Sequence, residues 1–190
     1  MIIVSDTTPI HYLIQIGQID VLEKLFGQVI IPQGVFSEMQ RDKTPREVKA
    51  WLDSGPSWLQ VRPSNPSLFT PTKKLGDGER EAIALALELG ADALLMDDRD
   101  GRKEALRNNV TVLTTLNILA LGAQKNLLNL PTELDRLTHQ TNFRMPPAEV
   151  VKEMLSRDAE RKEREQTIPE LTQEAAQEKE QERRDRDIER

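Results

Sequence analysis

The sequence predicts an α/β fold: a central parallel sheet of about four or five strands between layers of helices, then a charged C-terminal tail. Three observations carry this. Short apolar runs alternate with segments of helical period, which builds parallel strands through crossover helices. Two of the apolar runs end on acids, at Asp6 and at Asp97-Asp98. Beyond residue 155 large apolar side chains nearly vanish, leaving Ile168, Leu171 and Ile188. The predicted domain is therefore 1–155, and 156–190 is a partly helical or disordered tail that cannot bury a core of its own.

The elements follow in order. Ile2–Asp6 is the first strand, and Pro9 opens a helix with Ile10, Leu13, Ile14 and Ile16 on its apolar face. Gly17 stops it. Asp20–Phe26 is a short helix ended by Gly27, and Val29–Ile31 is a buried strand. Pro32 opens a helix carrying Val35, Phe36 and Met39, with Glu38 in its second turn. Thr44 is placed to cap a helix that runs to Leu52. Trp58–Val61 reads as an edge strand. Pro63, Pro66 and Pro71 make 62–76 a loop.

Glu79–Leu89 is the strongest helix, starting at Asp77 or Gly78 and ended by Gly90. Ala93–Met96 is a strand, Asp100–Asn108 a helix, Val110–Leu113 a strand and Thr115–Lys125 a helix. Pro131–His139 and Pro147–Leu155 close the domain. In the tail, Glu160–Arg164, Glu180–Arg184 and Glu182–Arg186 support a solvated helix that projects from the domain. Pro169 is expected to break it.

Composition narrows the chemistry. The 190 residues include no Cys and only two His, His11 and His139, so disulfide, thiolate and His-rich zinc sites are excluded. No apolar run approaches the roughly 20 residues of a membrane span, and no basic leader precedes the first strand. A soluble, cytoplasmic protein is the expectation. The net charge of -6 argues against broad nonspecific nucleic-acid binding. It is compatible with a nuclease, whose clustered acids are offset by bound cations.

Four acidic positions fall on one predicted rim: Asp6, Glu38, Glu79 and Asp97-Asp98. In open α/β sheets, sites form at the carboxyl ends of the strands. Carboxylates held together repel unless a cation sits between them. Mg²⁺ or Mn²⁺ suits such a set, and can orient a water and polarise a phosphoryl oxygen. The expected reaction is phosphodiester hydrolysis. Each acid also has a plainer role. Asp6 can cap the first helix with Thr7 and Thr8. Glu38 can be a surface residue, Glu79 can favour a helix dipole, and Asp97–Gly101 can be a polar turn.

The order of these motifs resembles a PIN domain over residues 1–155. The carriers are strand-Asp6, then Pro32–Glu38, then Gly78-Glu79-Arg80-Glu81-Ala82-Ile83, then Asp97-Asp98-Arg99-Asp100-Gly101-Arg102. It is most similar to a PIN-like branch related to VapC-type ribonuclease toxins. The resemblance implies a three-layer fold and a Mg²⁺- or Mn²⁺-dependent endoribonuclease, the toxin of a toxin–antitoxin pair. It implies Asp6, Glu38, Glu79 and Asp98 or Asp97 as metal acids and Thr8 as a hydroxyl that holds the first Asp or a metal water. Glu79 stands where many members have Asp, and Asp97-Asp98 replaces the frequent Thr-x-Asp. The implied partners are RNA, an antitoxin and a second copy through Val21–Phe26 and Val35–Met39. A PIN-like domain that binds without cleaving is the alternative.

Arg99, Arg102, Lys103 and Arg107 follow the acidic turn, as a solvated face or as RNA phosphate contacts. Lys73-Lys74 has the same two readings. Thr114-Thr115 caps the next helix or touches substrate or a metal water. Tyr12 reads as an ordinary first-helix residue, and Trp51 and Trp58 as core. A haloacid-dehalogenase-type phosphatase is disfavoured, since Thr8 stands where a second Asp is needed. A dinucleotide site is disfavoured because no Gly-rich turn follows the first strand.

Overall fold

Parallel pairing of every strand places all five carboxyl ends along one edge of the sheet. In the computed structural model, which describes residues 1–167, β1 (Ile3–Ser5), β2 (Val29–Pro32), β3 (Leu59–Arg62), β4 (Ala93–Leu95) and β5 (Val112–Leu113) run in the order β3-β2-β1-β4-β5. The chain builds outward from β1 to β3, then returns to the other side of β1 for β4. That reversal creates a switch point between β1 and β4, where α/β sheets open a crevice.

Residues Val4, Ile30 and Leu94 stand side by side across the three central strands. They pack with Ala82, Ile83 and Ala86 of α5 (Asp77–Leu89) in one core cluster. The next residues, Ile3, Ile31 and Leu95, are equally buried and fall on the opposite face by the alternation of a strand. Both faces of the sheet are covered, as an all-parallel sheet requires. Burying each such side chain is worth about 1.5–3 kcal/mol.

The helices are α1 (Thr7–Gln15), α2 (Val21–Phe26), α3 (Gln33–Met39), α4 (Arg46–Asp53), α5, α6 (Arg99–Arg107), α7 (Thr115–Gln124) and α8 (Leu130–Gln140). A short 3₁₀ turn at Pro66–Leu68 interrupts the long loop before α5. Helix α5 ends on Gly90 at φ +57°, a left-handed position that glycine takes without strain.

Two helix starts differ from the sequence reading. Helix α1 begins at Thr7, and Pro9 is its third residue, because the Asp6 carboxylate caps the turn from Thr8 N–H. Thr44 does not cap α4. Its hydroxyl donates instead to the Glu38 carbonyl at 3.2 Å, and Pro45 takes the cap position. The expected helix from Pro147 and the expected helix at the start of the tail are one continuous helix, over 148–167.

The chain divides into two units, Met1–Met145 and Pro146–Arg190. The first is the α/β unit. In the second, the described helix carries the ion pairs Arg157–Glu153 and Arg164–Glu160, the latter at 3.8 Å. The expected break at Pro169 and the Glu180–Arg184 and Glu182–Arg186 pairs lie outside the described residues. Among the described residues, no helix is long and apolar enough to cross a membrane. Val21, Leu22, Val35 and Met39 are buried inside the chain, so these apolar faces of α2 and α3 pack within it.

Candidate active site

Asp6 sits at the switch point. Its N–H donates to the Leu95 carbonyl at 2.9 Å, which pins the end of β1 to β4. Its side chain is 3% exposed and caps α1, accepting from Thr8 N–H at 3.5 Å and from Thr8 Oγ1 at 3.3 Å. Burial pushes its carboxyl up to about 7, against the pull of the Thr7 and Thr8 backbone N–H groups. The charges of Glu79 and Glu38 raise it further. Asp6 thus has its plainer role as a helix cap, and its charge is also within reach of Glu79 and Glu38.

Glu38 reaches this point from α3. Thr7 Oγ1 donates to its Oε2 at 2.8 Å. Gly78, at the start of α5, gives the carboxylate room. A Cβ there would lie 2.7 Å from Glu38 Oε2, 3.5 Å from Val35 Cγ2 and 3.6 Å from Asp6 Oδ1. Glu38 and Asp6 thus border the same small space above Gly78.

Glu79 folds back on its own helix. Its Oε2 accepts the Gly76 N–H at 3.0 Å, closing the first turn of α5. Burial raises its pKa, and the charges of Asp98, Glu38 and Asp100 raise it further, while the Gly76 bond lowers it. Asp98 caps α6, its Oδ1 accepting Asp100 N–H at 2.8 Å and Gly101 N–H at 2.7 Å. Gly101 lets α6 sit down on Met96, whose Sδ would be 2.5 Å from a Cβ at that position.

Asp97 turns another way. It accepts the Thr115 N–H at 2.9 Å and Thr115 Oγ1 at 2.6 Å, tying β4 to the start of α7. Burial raises its pKa; the Thr115 bonds and the Arg102 charge lower it. The structure thus brings Asp6, Glu38, Glu79 and Asp98 into one electrostatic group and gives Asp97 to Thr115. Among the described residues, no three His, Cys, Asp or Glu side chains stand close enough to hold an ion as placed. Glu79 and Asp98 are each occupied as helix caps.

Several participants gave no signal of their role in the sequence. Thr7 holds Glu38. Glu81 Oε2 accepts the Gly34 N–H at 2.8 Å and Ser64 Oγ at 3.2 Å, joining α5 to the start of α3. Tyr12 donates to Asn142 Oδ1 at 3.2 Å and meets the Phe143 ring edge-on at 5.0 Å. Lys73 pairs with Asp100 at 3.2 Å, which is bridging within the protein rather than a free cation. Arg99 is exposed at the first turn of α6. Trp58 is buried and packs against Trp51 at 5.5 Å, as core.

The family model described as DUF3368, a PIN domain, matches residues 2–160. The chain belongs to the PIN-domain family. A solved structure, a PilT N-terminus domain protein, SSO1118, from the hyperthermophilic archaeon Sulfolobus solfataricus P2, is similar to this PIN domain. It shares 20% identity and a TM-score of 0.45, over 76% of this chain and 100% of that one. No curated protein matches the chain.

The PIN fold is generally that of a nuclease that uses divalent metals. The residues of this PIN domain fit a hard cation by their chemistry. The donors are carboxylate oxygens with no sulfur or imidazole among them. The carboxyl of Asp6 is raised first by burial and further by the charges of Glu79 and Glu38, and a bound cation would offset both effects.

Proposed function

We propose that this PIN domain is a Mg²⁺- or Mn²⁺-dependent endoribonuclease, acting as the toxin of a toxin–antitoxin pair. The observation that supports it most is the environment of Asp6: a buried carboxylate at the sheet's switch point, raised to about 7 beside Glu38 and Glu79. Perturbed, crowded carboxylates of this kind are candidates for functional sites.

Asp6, Glu38, Glu79 and Asp98 would hold the cation. When bound, it would polarise a phosphoryl oxygen and ease deprotonation of water. The chain's own part is positioning. The Thr8 hydroxyl fixes one Asp6 oxygen, and the Thr7 hydroxyl fixes Glu38, so these carboxylates are presented without paying rotamer entropy at each turnover. Gly78 keeps the space between them clear. Asp6, ionised, accepts hydrogen bonds and carries negative charge toward the rim; protonated, it loses that role.

One observation favours a second reading, a module that binds without cleaving. Glu79 and Asp98 both spend oxygens on their own helix starts, and no closed ligand set stands ready among the described residues. Expression of the full chain in bacterial cells separates the two readings. A toxin slows growth and leaves cleaved RNA, and its Asp6→Asn variant is harmless. A binding module gives no RNA fragments, and its Asp6→Asn variant behaves as the wild type.

A further inference from the structure

We propose that Lys73 is a substrate contact of this site: its ammonium, held over the first turn of α6 by a strap between Thr72 and Glu104, takes a phosphate of the RNA strand beside Asp98. This rests on the ribonuclease reading above.

The long loop before α5 is anchored on both sides of Lys73. Phe69 is buried in the core cluster, and Leu75 packs against that cluster. Between them, Thr72 gives its N–H at 3.2 Å and its hydroxyl at 2.7 Å to one oxygen of Glu104. Arg107 Nη1 joins the same group, donating to Thr72 Oγ1 at 2.6 Å and to Glu104 Oε2 at 3.2 Å. Glu104 is buried on α6, so water competes poorly for these bonds. They fix the residue immediately before Lys73. Past Leu75, the Gly76 N–H is taken by Glu79.

The side chain between these anchors reaches the acids. Lys73 Nζ lies 3.2 Å from Asp100 Oδ1. The Asp100 N–H in turn donates to Asp98 Oδ1 at 2.8 Å. The ammonium thus stands on the residue whose backbone holds Asp98, at the β4 end of the acid group. An ammonium has three donors, and Asp100 takes one. Among the described residues nothing accepts from the other two, and the side chain is 62% exposed. So exposed a pair adds little stability. Its consequence is the direction in which the charge is held.

Lys74 supplies the contrast. It carries the same charge one residue on and is exposed, with no contact that draws it to α6 among the described residues. A strand brought to these acids meets a negative rim. The phosphates flanking the cleaved one need counter-charge from the protein, and lysine binds phosphate as a point charge. Lys73 offers that charge with Asp100 still in place.

The test uses the full chain carrying Asp6→Asn, so that RNA survives, and a fluorescent single-stranded oligoribonucleotide titrated at several salt concentrations. The melting temperature of each variant is recorded. Lys73→Gln should weaken binding several-fold and lower the salt slope by about 0.7. Lys73→Arg should keep both, and Lys74→Gln should change them less. Thr72→Val removes no charge, yet it should weaken binding, and in a chain already carrying Lys73→Gln it should weaken it no further. Equal losses for Lys73→Gln and Lys74→Gln would mean a diffuse charge effect and overturn the contact. A Thr72→Val chain that binds as its parent does, or losses that add, would overturn the positioning by Glu104. Binding unchanged by Lys73→Gln, beside intact Mn²⁺-dependent cleavage by the wild-type chain, would overturn the contact and leave the nuclease reading standing. Absence of both RNA binding and cleavage would remove the nuclease reading itself, and the contact with it.

Discussion

Glu81 of α5 accepts the Gly34 N–H of α3 at 2.8 Å, and the relationship is answered in reverse by Glu38 of α3, whose carboxylate lies over Gly78 of α5. A Cβ at Gly34 would meet Glu81 Oε1 at 2.4 Å, as one at Gly78 would meet Glu38 Oε2 at 2.7 Å. Two helices therefore dock through paired glycines, each receiving the other helix's carboxylate. The pairing sets the height at which Glu38 meets Asp6.

Gly34→Ala should displace the Glu81 carboxylate, and Glu81→Ala should leave the Gly34 N–H without its acceptor. Each should cost about 1–3 kcal/mol of stability. The double variant should lose less than the sum, because the second change removes an interaction already broken. Thermal melts of the four proteins check this. Additive losses would mean the two residues do not act on one another.

Asp6 makes the protein's stability depend on pH and cation together. Its folded pKa is raised to about 7 from 3.8. The native state thus holds a proton that the unfolded state gives up, and stability falls as pH rises from about 4 to about 7. In EDTA the melting temperature should drop across that window, and Asp6→Asn should flatten the drop. Mn²⁺ should stabilise more at pH 8 than at pH 5, since it must displace the proton. A melting temperature that rises with pH in EDTA would contradict this assignment.

Asp97 and Asp98 should separate cleanly on substitution. Asp97→Ala removes both acceptors of Thr115 at the start of α7, so it should lower stability by a few kcal/mol at most, while Asp98→Asn keeps an oxygen for the α6 cap. The expected pattern is a loss of melting temperature for Asp97→Ala, and a loss of cation response with little change in melting temperature for Asp98→Asn. Calorimetry with Mn²⁺ beside thermal melts measures both. The reverse pattern would assign the cation to Asp97.

Glu104 straps the long loop to α6. It is 3% exposed, accepts from Thr72 N–H at 3.2 Å and Thr72 Oγ1 at 2.7 Å, and pairs with Arg107. The Thr72 hydroxyl bond holds its pKa below the ordinary 4.5, against the effect of burial. A lowered acid stabilises above its unfolded pKa and loses that contribution as pH falls through the folded value. Glu104→Gln should lower the melting temperature at neutral pH, speed amide exchange over 70–76, and abolish the pH dependence this group contributes below about 4.5. Unchanged exchange in that loop would show that the strap does not hold it.

The sheet was legible because β1, β2 and β4 are apolar runs that end on an acid or a proline, and the alternation of strands with helices leaves little choice but parallel pairing. Asp6 was legible for the same reason. Its second duty as helix cap moved the start of α1 ahead of Pro9, a shift that a rule about proline at the first turn cannot foresee. Thr44 failed as a cap because a distant carbonyl, that of Glu38, competed for its hydroxyl. Asp97 and Asp98 are equivalent in sequence. Only the fold shows that one faces Thr115 while the other caps α6 near Glu79. Glu81 owes its role to a partner 47 residues away. No local pattern encodes it.

The central claim is that the carboxylates around Asp6 serve a cation-dependent cleavage of RNA. The most direct measurement is RNA cleavage by the purified full chain with Mn²⁺ and with EDTA, wild type beside Asp6→Asn, with the melting temperature of each recorded. The account predicts cleavage by the wild type in Mn²⁺, none in EDTA, and a loss of orders of magnitude in a folded Asp6→Asn variant. Equal cleavage by the two proteins, or no cleavage by the folded wild type with Mn²⁺ or Mg²⁺, would contradict it.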